Sequence, residues 1–392
     1  MPRPAALLAL LLCLIAIACG SGDSDDALTL SESPETPAPE PSSKPIVTTP
    51  VAQQTGCDAP DWDSIEDLGR LFVATPGGPA LAGSEQEVLA TYKPGGVLIR
   101  SYAVSTRQQL AALLADIHAN GETLTLVDHE GGDVQLPGVQ PRLPSPATMG
   151  RGTIAETQAN AAAVGADLKA LGFDVDLAPV ADVRVEGYNT VVTRSFGTDP
   201  TLVTDHVLAF AGALQSSGII PAVKHFPGYG KAVGDAHLEL TTIGTPREEL
   251  ESVDFLPFRE AVASGIPIVL TSHLHYAALD SEVRPATISP DVITGLLRDE
   301  LGFNGVVITD SLGMGAITLT VGTGEGAVLA LSAGADLLLL TDNITTIPTY
   351  ALRIQEAVDS GRLPRERVLE ALGRVAALQR LARGGDAACL RP

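Results

Sequence analysis

Short apolar runs alternate with longer amphipathic segments along the chain from about residue 68. The apolar runs predict strands at 71–74, 96–100, 123–127, 175–179, 222–225, 268–272, 306–309 and 337–340. The amphipathic segments predict helices at 106–119, 154–171, 200–217, 247–264, 290–301, 323–333 and 364–383. Continuous apolar strands separated by helices indicate a parallel sheet covered on both faces. Eight such strands favour an α/β fold, a closed (β/α)8 TIM-type barrel in a single domain, over an open doubly wound sheet.

A dinucleotide-binding fold is the main alternative for such an alternation. It is disfavoured because no Gly-x-Gly-x-x-Gly turn follows the first strand. We therefore expect no nucleotide cofactor, and no other cofactor is indicated.

The first 18 residues resemble a lipoprotein signal peptide. Arg3 precedes an apolar run over 5–17 that is too short to span a bilayer. The run ends in Ala16-Ile17-Ala18-Cys19-Gly20, which is similar to a lipobox, in which Cys19 is acylated and becomes the new N-terminus. Ordinary signal cleavage without a lipid is the alternative. Either route predicts an extracytoplasmic protein, attached to the membrane through its N-terminal lipid or secreted.

Residues 19–56 are predicted to be a tether. The segment is rich in Ser, Pro, Thr and acidic residues and has little to bury. Such a composition cannot offset the entropy of ordering, so we expect an extended, mobile linker. The folded domain is predicted to occupy 57–392.

Cysteine usage predicts one disulfide. Cys13 leaves with the signal peptide and Cys19 is the lipid acceptor, so Cys57 and Cys389 remain at the two edges of the folded part. Disulfides persist outside the cytoplasm, so we expect these two to pair, with two free thiols as the alternative. Neither has a neighbouring cysteine of the kind that a zinc site requires.

Charge bears mainly on the choice of partners. The chain has 47 acidic and 25 basic residues and a formal net charge of −22. A surface this acidic disfavours nucleic acid and anionic lipid as partners. We expect a monomer that contacts the membrane only through its lipid.

Polar residues recur where the predicted strands end, and these positions share one end of such a barrel. They are Asp128-His129-Glu130-Gly131-Gly132, Asp182, Lys224-His225, His273 and Asp310. Taken singly, they could be structural, with Lys224 paired to Asp128 and His225 to Asp182. Burying so many charges together costs several kcal/mol unless they pair or bind something, so the whole set indicates a ligand site.

Asp310 and the pair Asp235–His237 are the candidates for chemistry. Asp310 ends a β-branched strand and could serve as a metal ligand, a base or a nucleophile. The other histidines and acids are not at metal-ligand spacing, so no metal is expected. Asp235 and His237 lie two residues apart in a Gly-rich loop, where a turn can bring the carboxylate onto the imidazole. Such a carboxylate fixes the tautomer and favours proton donation near neutrality.

These segments resemble the family 3 glycoside hydrolases, in their single-barrel β-N-acetylglucosaminidase branch. The resemblance covers about residues 65–385. Its segments are Asp128–Gly132, Leu177–Asp182, Arg194–Gly197, Lys224–Gly230, Gly234–His237, Pro285–Phe303 and Ile308–Met314.

The resemblance implies a role for each candidate. Asp310 would attack the anomeric carbon to form a covalent glycosyl-enzyme, which gives retention. His237 would be the acid/base, oriented by Asp235. The residues implied to bind the sugar are Asp128, which faces the far hydroxyls, Arg194, which faces the acetamido side, Lys224 and His225.

The chain departs from the family pattern at several positions. His129 stands where Gln is usual and Tyr229 where His is usual, and both changes are expected to preserve fold and chemistry. Asp133 and Leu136 occupy the region after the Gly-Gly pair where Arg is common. The loss of positive charge there leaves fine substrate preference open.

The leading hypothesis is a retaining exo-β-N-acetylglucosaminidase that releases terminal β-linked N-acetylglucosamine from peptidoglycan-derived glycans. A β-glucosidase or broad β-hexosaminidase of the same family is the alternative within this class. A lipoprotein that binds glycans without cleaving them is the alternative outside it. The sequence also leaves open whether water or phosphate accepts the sugar.

Overall fold

The computed structural model describes residues 57–188 and 191–391. The predicted signal peptide 1–18, the acylation site Cys19 and the tether 19–56 lie outside the described residues, so their boundaries stay predictions. Among the described helices, none combines the length and the apolar character that a membrane crossing requires.

A ring of parallel strands forms the centre of the described residues. The strands are β1 (Phe72–Thr75), β2 (Gly96–Ile99), β3 (Leu124–Val127), β4 (Val175–Asp176), β5 (Ile220–Phe226), β6 (Ile268–Thr271), β7 (Val306–Ile308) and β8 (Leu338–Asn343). Each pairs with its neighbour in sequence, and β8 pairs with β1. A bridge between Ile308 and Leu337 links β7 to β8. The predicted (β/α)8 barrel is confirmed, with every predicted strand in place.

Helices follow the strands and cover the outside of the ring. They are Gly83–Tyr92, Arg107–His118, Pro146–Met149, Ile154–Leu171, Pro200–Ser216, Arg247–Glu249, Leu256–Ala263, Gly315–Thr318, Thr323–Ala333, Ile347–Asp359 and Arg365–Ala382. Two segments have π-type hydrogen bonding, Leu250–Asp254 and Asp291–Glu300. Short 3-10 turns are Ile65–Leu71, Ser101–Ala103, Ala286–Ile288, Ile344–Thr346 and Ala388–Leu390. A two-stranded parallel sheet pairs Thr242–Ile243 with His275–Tyr276.

Three details differ from the sequence prediction. The helices Gly83–Tyr92 and Ile347–Asp359 were not predicted. The segment 247–264 is interrupted rather than one helix, because Pro257 at the first turn of its last part has no N–H to continue the preceding ladder. Strand β4 is only two residues long, and Pro179 likewise lacks the N–H of a regular strand.

The strands are buried on both faces, as expected for a parallel barrel. Residues such as Val73, Leu126 and Ile308 form an apolar cluster inside the ring. Their neighbours, such as Phe72 and Val127, belong to a second cluster that packs under the helices. A filled interior leaves the ends of the strands as the places where polar groups can gather.

The C-terminal segment closes the end of the barrel where the strands begin. Val375 and Leu378, from the helix Arg365–Ala382, belong to the same apolar cluster as the barrel interior. Cys57 and Cys389 form a disulfide there with a Cα–Cα distance of 5.3 Å, which confirms the predicted pairing.

Ion pairs reinforce that closure. The buried carboxylate of Asp336, just before β8, contacts the guanidinium groups of Arg298, Arg367 and Arg374 at 2.5, 2.6 and 3.2 Å. Two of these arginines belong to the C-terminal helix, so the cluster ties that helix to the barrel. The contacts at this end therefore stabilise the fold, and the candidate site residues lie at the opposite end.

We predict that replacing both cysteines, Cys57→Ser with Cys389→Ser, lowers the free energy of unfolding by about 2–5 kcal/mol. The disulfide closes a loop of 332 residues, which restricts the unfolded chain. Urea unfolding followed by Trp62 fluorescence measures the effect, since Trp62 is the only tryptophan and stacks under Arg365 at 4.1 Å. Reduced wild-type protein should unfold at the variant's midpoint. An unchanged midpoint in both samples would show that the disulfide does not stabilise the fold.

Candidate active site

A cavity of about 500 Å³ opens at the carboxyl ends of the strands. The predicted site residues that line it are Asp128, Arg194, Lys224, His225, His237 and Asp310. Asp235 lies behind His237 and contacts it directly. The barrel therefore brings the predicted residues together, although they are spread over more than 180 positions of the sequence.

Glu130 organises the cations of the cavity. Its fully buried carboxylate accepts two hydrogen bonds from Arg194, from Nε at 2.7 Å and from Nη2 at 2.6 Å. Lys224 Nζ lies 2.7 Å from the same carboxylate and donates to Asp128 at 2.6 Å. Burial alone would raise the pKa of Glu130, but the Lys224 and Arg194 cations lower it to about 2. Glu130 is thus ionised at all ordinary pH values.

Sequence reasoning did not single out Glu130 as a site residue. One signal was present: Glu130 lies two positions after Asp128, and alternate residues of an extended chain face the same side. The pair between Lys224 and Asp128, which the sequence offered as a structural explanation, is present. Because this ion pair lies inside the cavity, its two residues can pair with each other and still contact a ligand.

His225 is held in one orientation by a buried carboxylate. Its Nδ1 lies 2.7 Å from Asp182, and its backbone N–H donates to the other oxygen of that carboxylate at 3.1 Å. The backbone N–H of Tyr229 donates to the same oxygen at 2.7 Å. His225 Nδ1 is directed at Asp182, and its Nε2 faces Arg194 Nη2 at 3.4 Å. His225 therefore presents a fixed ring edge to the cavity.

Asp310 follows β7 and presents its carboxylate to the cavity. The backbone N–H of Ser311 donates to it at 2.7 Å. Burial alone would raise the pKa of Asp310, but the nearby His273 and His225, the Ser311 N–H and Lys224 together hold it below its usual value. His273 lies behind it, with Nε2 2.8 Å from the Ser311 carbonyl. Asp310 is thus a preformed carboxylate, available as a nucleophile rather than as a proton donor.

The predicted pairing of Asp235 with His237 is present. Asp235 Oδ1 accepts from the His237 backbone N–H at 2.9 Å and lies 2.7 Å from His237 Nδ1. The backbone bond and the imidazole lower the pKa of the Asp235 carboxyl. The His237 side chain is 70% exposed and that of Asp235 is 56% exposed, in contrast to the buried groups at the other side of the cavity. With Nδ1 directed at Asp235, Nε2 is the ring atom that can exchange a proton with a ligand.

The loop that contains His237 rests on the loop that follows Asp310. Gly315 N–H donates to the His237 carbonyl at 2.9 Å, and Ala316 N–H donates to the Ala236 carbonyl at 3.0 Å. From the other side, Ala236 N–H donates to the Tyr229 hydroxyl at 3.1 Å. These bonds fix the loop of His237 relative to the loop of Asp310.

The positions that depart from the family pattern surround the same cavity. Leu136 is buried in its wall and Asp133 is exposed at its rim. The Leu136 N–H donates to Nδ1 of the buried His129 at 3.2 Å. Burial and the Arg142 charge lower the pKa of His129 to about 4, so this histidine is neutral and supports the wall. The ring of Tyr229 packs against His225 at 5.6 Å.

No group of three or more His, Cys, Asp or Glu side chains is arranged to hold a metal ion within 57–188 and 191–391. That a metal plays no part stays a prediction.

Comparison with known proteins identifies the family. A family model described as the glycosyl hydrolase family 3 N-terminal domain matches residues 65–378. A protein of Pseudoalteromonas piscicida named beta-hexosaminidase A is 29% identical over 324 residues, covering 75% of this chain and 54% of that protein. Beta-hexosaminidase LpqI of Mycobacterium tuberculosis is 33% identical over 331 residues, covering 80% of this chain and 82% of that protein.

A solved structure gives the same result. A family 3 β-N-acetylglucosaminidase from Paenibacillus superimposes with a TM-score of 0.80 at 33% identity, covering 82% of this chain and 63% of that one. The chain thus spans about half of the Pseudoalteromonas protein and under two thirds of the Paenibacillus structure.

We predict that Gly315→Ala lowers kcat/KM on an aryl β-N-acetylglucosaminide by about 100-fold, the cost of moving a reacting group by about 1 Å. A Cβ at Gly315 would collide with the Leu238 carbonyl and come within 2.8 Å of the His237 carbonyl, so the loop must shift. Gly212→Ala is the matched control, because a Cβ there meets nothing within 4 Å. We expect the control to keep full activity. Equal activity of the two variants would show that the loop does not depend on this contact.

Proposed function

Because the chain belongs to glycoside hydrolase family 3, we propose that it is a retaining exo-β-N-acetylglucosaminidase that releases terminal β-linked N-acetylglucosamine. Membership confirms the predicted resemblance and, with relatives named β-hexosaminidases, confirms a glycoside hydrolase of that type. The observation that most directly supports the specific proposal is that Asp310 and His237 line one cavity. The cavity thus offers a carboxylate nucleophile and a proton-exchanging group to the same bound sugar.

Asp310 performs the first displacement in the proposed mechanism. Its lowered pKa keeps the carboxylate ionised, and the Ser311 N–H fixes it at the end of β7. One carboxylate oxygen forms a bond to the anomeric carbon while the bond from that carbon to the leaving oxygen breaks. The product is a glycosyl ester of Asp310 with inverted anomeric configuration. A second inversion by the acceptor restores the original configuration.

His237 moves the protons of both steps. In its protonated form Nδ1–H donates to Asp235, and Nε2–H passes its proton to the leaving oxygen as the glycosidic bond breaks. The neutral ring then removes a proton from water through Nε2 as the water oxygen attacks the anomeric carbon. The Asp310 carboxylate leaves unchanged, and His237 is protonated again. Asp235 is a positioning residue that fixes Nδ1 as the protonated nitrogen.

The sugar is held by groups whose orientation is already fixed. Arg194 and Lys224 are locked by Glu130, and His225 is locked by Asp182. Donors and acceptors built into a buried site discriminate strongly, because a sugar without the matching group leaves them unpaired. We assign Arg194 to the acetamido side and Asp128 to the far hydroxyls.

A β-glucosidase or a broad β-hexosaminidase of the same family is the alternative within this class. Leu136 and Asp133 at the cavity wall supply no positive charge there, which is the observation that favours relaxed specificity. A glycan-binding protein without activity would need neither the ionised Asp310 nor the Asp235–His237 pair. Phosphate is the alternative acceptor to water, and product analysis with and without phosphate distinguishes the two.

We propose peptidoglycan-derived glycans as the natural substrate and the outer side of the cell membrane as the location. The support is the signal peptide and lipobox-like segment that end at Cys19, which would keep a monomeric enzyme near the cell wall.

We predict that the Cys19→Ser protein is recovered from the soluble fraction while the wild type stays with the membrane. Equal partition of the two proteins would contradict acylation at Cys19.

The proposed function is tested by parallel rates on an aryl β-N-acetylglucosaminide and the matching aryl β-glucoside. We expect kcat/KM to favour the N-acetylglucosaminide by at least about 100-fold, since the acetamido contacts are lost with glucose. Proton NMR of the first-formed sugar should show the β-anomer. Equal rates on the two substrates would favour the broad alternative, and a first-formed α-anomer would refute the retaining mechanism.

A further inference from the structure

Arg100 is a cation at the cavity wall whose charge no described carboxylate pairs with. It directly follows β2 and lines the cavity. The other cations of the lining are engaged: Arg194 by Glu130, and Lys224 by Asp128 and Glu130. Arg100, in contrast, is exposed and has neither an ion pair nor a side-chain hydrogen bond to any residue that the structure describes. Its N–H groups are therefore available to a ligand.

Strand register places Arg100 beside Asp128. Ile99 of β2 pairs with Val127 of β3, so the next residue of each strand, Arg100 and Asp128, are neighbours at the mouth of the barrel. In the ring of eight strands, β3 lies four positions from β7, and β2, which precedes Arg100, lies three positions from it. Arg100 and Asp128 therefore face Asp310 across the cavity.

The position of Asp310 fixes which end of the sugar reaches Arg100. Nucleophilic attack requires the anomeric carbon to lie at Asp310. The opposite end of a pyranose, which bears the C4 and C6 substituents, then points across the cavity toward Asp128 and Arg100. The lining on this side also contains the apolar Leu98 and Leu136 and the polar Ser101 and Gln135. The Gln135 amide N–H groups already donate to the Gly132 and Leu143 carbonyls, and of these residues only Arg100 carries a positive charge.

The backbone of Arg100 is fixed while its side chain is exposed. Its carbonyl accepts the Ala103 N–H at 2.9 Å, at the start of the 3-10 turn Ser101–Ala103. A guanidinium on a fixed base presents five N–H donors and never loses its charge. Such a group can donate to two neighbouring hydroxyls at once.

We infer that Arg100 is a substrate-binding residue that donates hydrogen bonds to the hydroxyls at C4 and C6 of the terminal sugar. It thereby sets specificity for the end of the sugar that is remote from the cleaved bond. The inference rests on the proposed function and extends it, since that function assigns only Asp128 to this end.

The test measures coupling between Arg100 and single hydroxyls. Wild type, Arg100→Ala and Arg100→Lys are compared on an aryl β-N-acetylglucosaminide and on its 3-deoxy, 4-deoxy and 6-deoxy analogues. Arg151→Ala is the control, since Arg151 is exposed and lies outside the cavity lining. A hydrogen bond to a charged group corresponds to a loss of at least about ten-fold in kcat/KM when one partner is removed.

We expect the wild type to lose at least about ten-fold in kcat/KM on the 4-deoxy analogue and on the 6-deoxy analogue. Arg100→Ala should lose at least about ten-fold on the parent glycoside, and its 4-deoxy and 6-deoxy penalties should be smaller than those of the wild type, since only the contact with Asp128 then remains. Its penalty on the 3-deoxy analogue should equal that of the wild type, and Arg100→Lys should recover part of the loss. If Arg100 had a merely structural role, Arg100→Ala would lower kcat/KM equally on all four substrates. Every deoxy penalty would then be the same as in the wild type.

If Arg100→Ala shows the same 4-deoxy penalty and the same 6-deoxy penalty as the wild type, the assignment of Arg100 is overturned. The proposed function is then left intact. A wild-type enzyme that fails to cleave the parent glycoside would overturn the proposed function, and the role of Arg100 with it. Thermal unfolding of Arg100→Ala and Arg151→Ala, both at exposed positions, should match that of the wild type.

Discussion

One buried carboxylate, that of Glu130, organises the rest of the site. It follows β3, and it holds Arg194, from the loop after β4, and Lys224, from β5. Two cations so close to each other would repel and would carry a heavy desolvation cost without it. Burial alone would raise the pKa of this carboxyl, but the Lys224 and Arg194 cations lower it to about 2, so the carboxylate is charged near neutral pH. The three neighbouring strand ends are thereby joined before any ligand arrives.

This fixed charge distribution also acts on Asp310, the proposed nucleophile. Burial alone would raise the pKa of Asp310, but the imidazoles of His273 and His225 and the Lys224 cation lower it. In the proposed mechanism Asp310 therefore needs no proton transfer before it attacks. Proton exchange is assigned instead to the exposed His237, whose loop is bonded to the loop after Asp310. In the proposed mechanism, the half-buried Asp310 carboxylate and the exposed His237 imidazole divide the two tasks of glycoside cleavage between them.

Much of the barrel could be predicted from sequence because its strands are apolar on both faces and its helices are mostly amphipathic. The helix Gly83–Tyr92 was missed since only Glu85 and Leu89 in it are buried, which leaves hardly any periodic signal. Ile347–Asp359 was missed although it has four buried apolar positions, because Pro348 near its start resembles a loop signal. The candidate residues at strand ends were found because the barrel predicts where strand ends meet.

Contacts between distant loops could not be predicted from the sequence in the same way. Gly315 supports His237 from 78 positions further along the chain, and no local pattern marks that contact. Glu130 was included in the polar run after β3 but was given no role of its own, because a buried carboxylate shared by two cations depends on which strands are neighbours. Arg100 was included only as the last residue of a predicted strand. Its significance depends on the absence of a paired carboxylate among the described residues and on its register with Asp128.

The proposed mechanism requires a covalent bond between Asp310 and the sugar. The direct measurement is mass spectrometry of the full chain after incubation with a 5-fluoro N-acetylglucosaminyl fluoride, followed by peptide mapping. We expect the mass of one fluorinated sugar on the peptide that contains Asp310, and none on Asp310→Ala protein. A label on any other carboxylate, or steady turnover of the reagent without an adduct, would contradict the account.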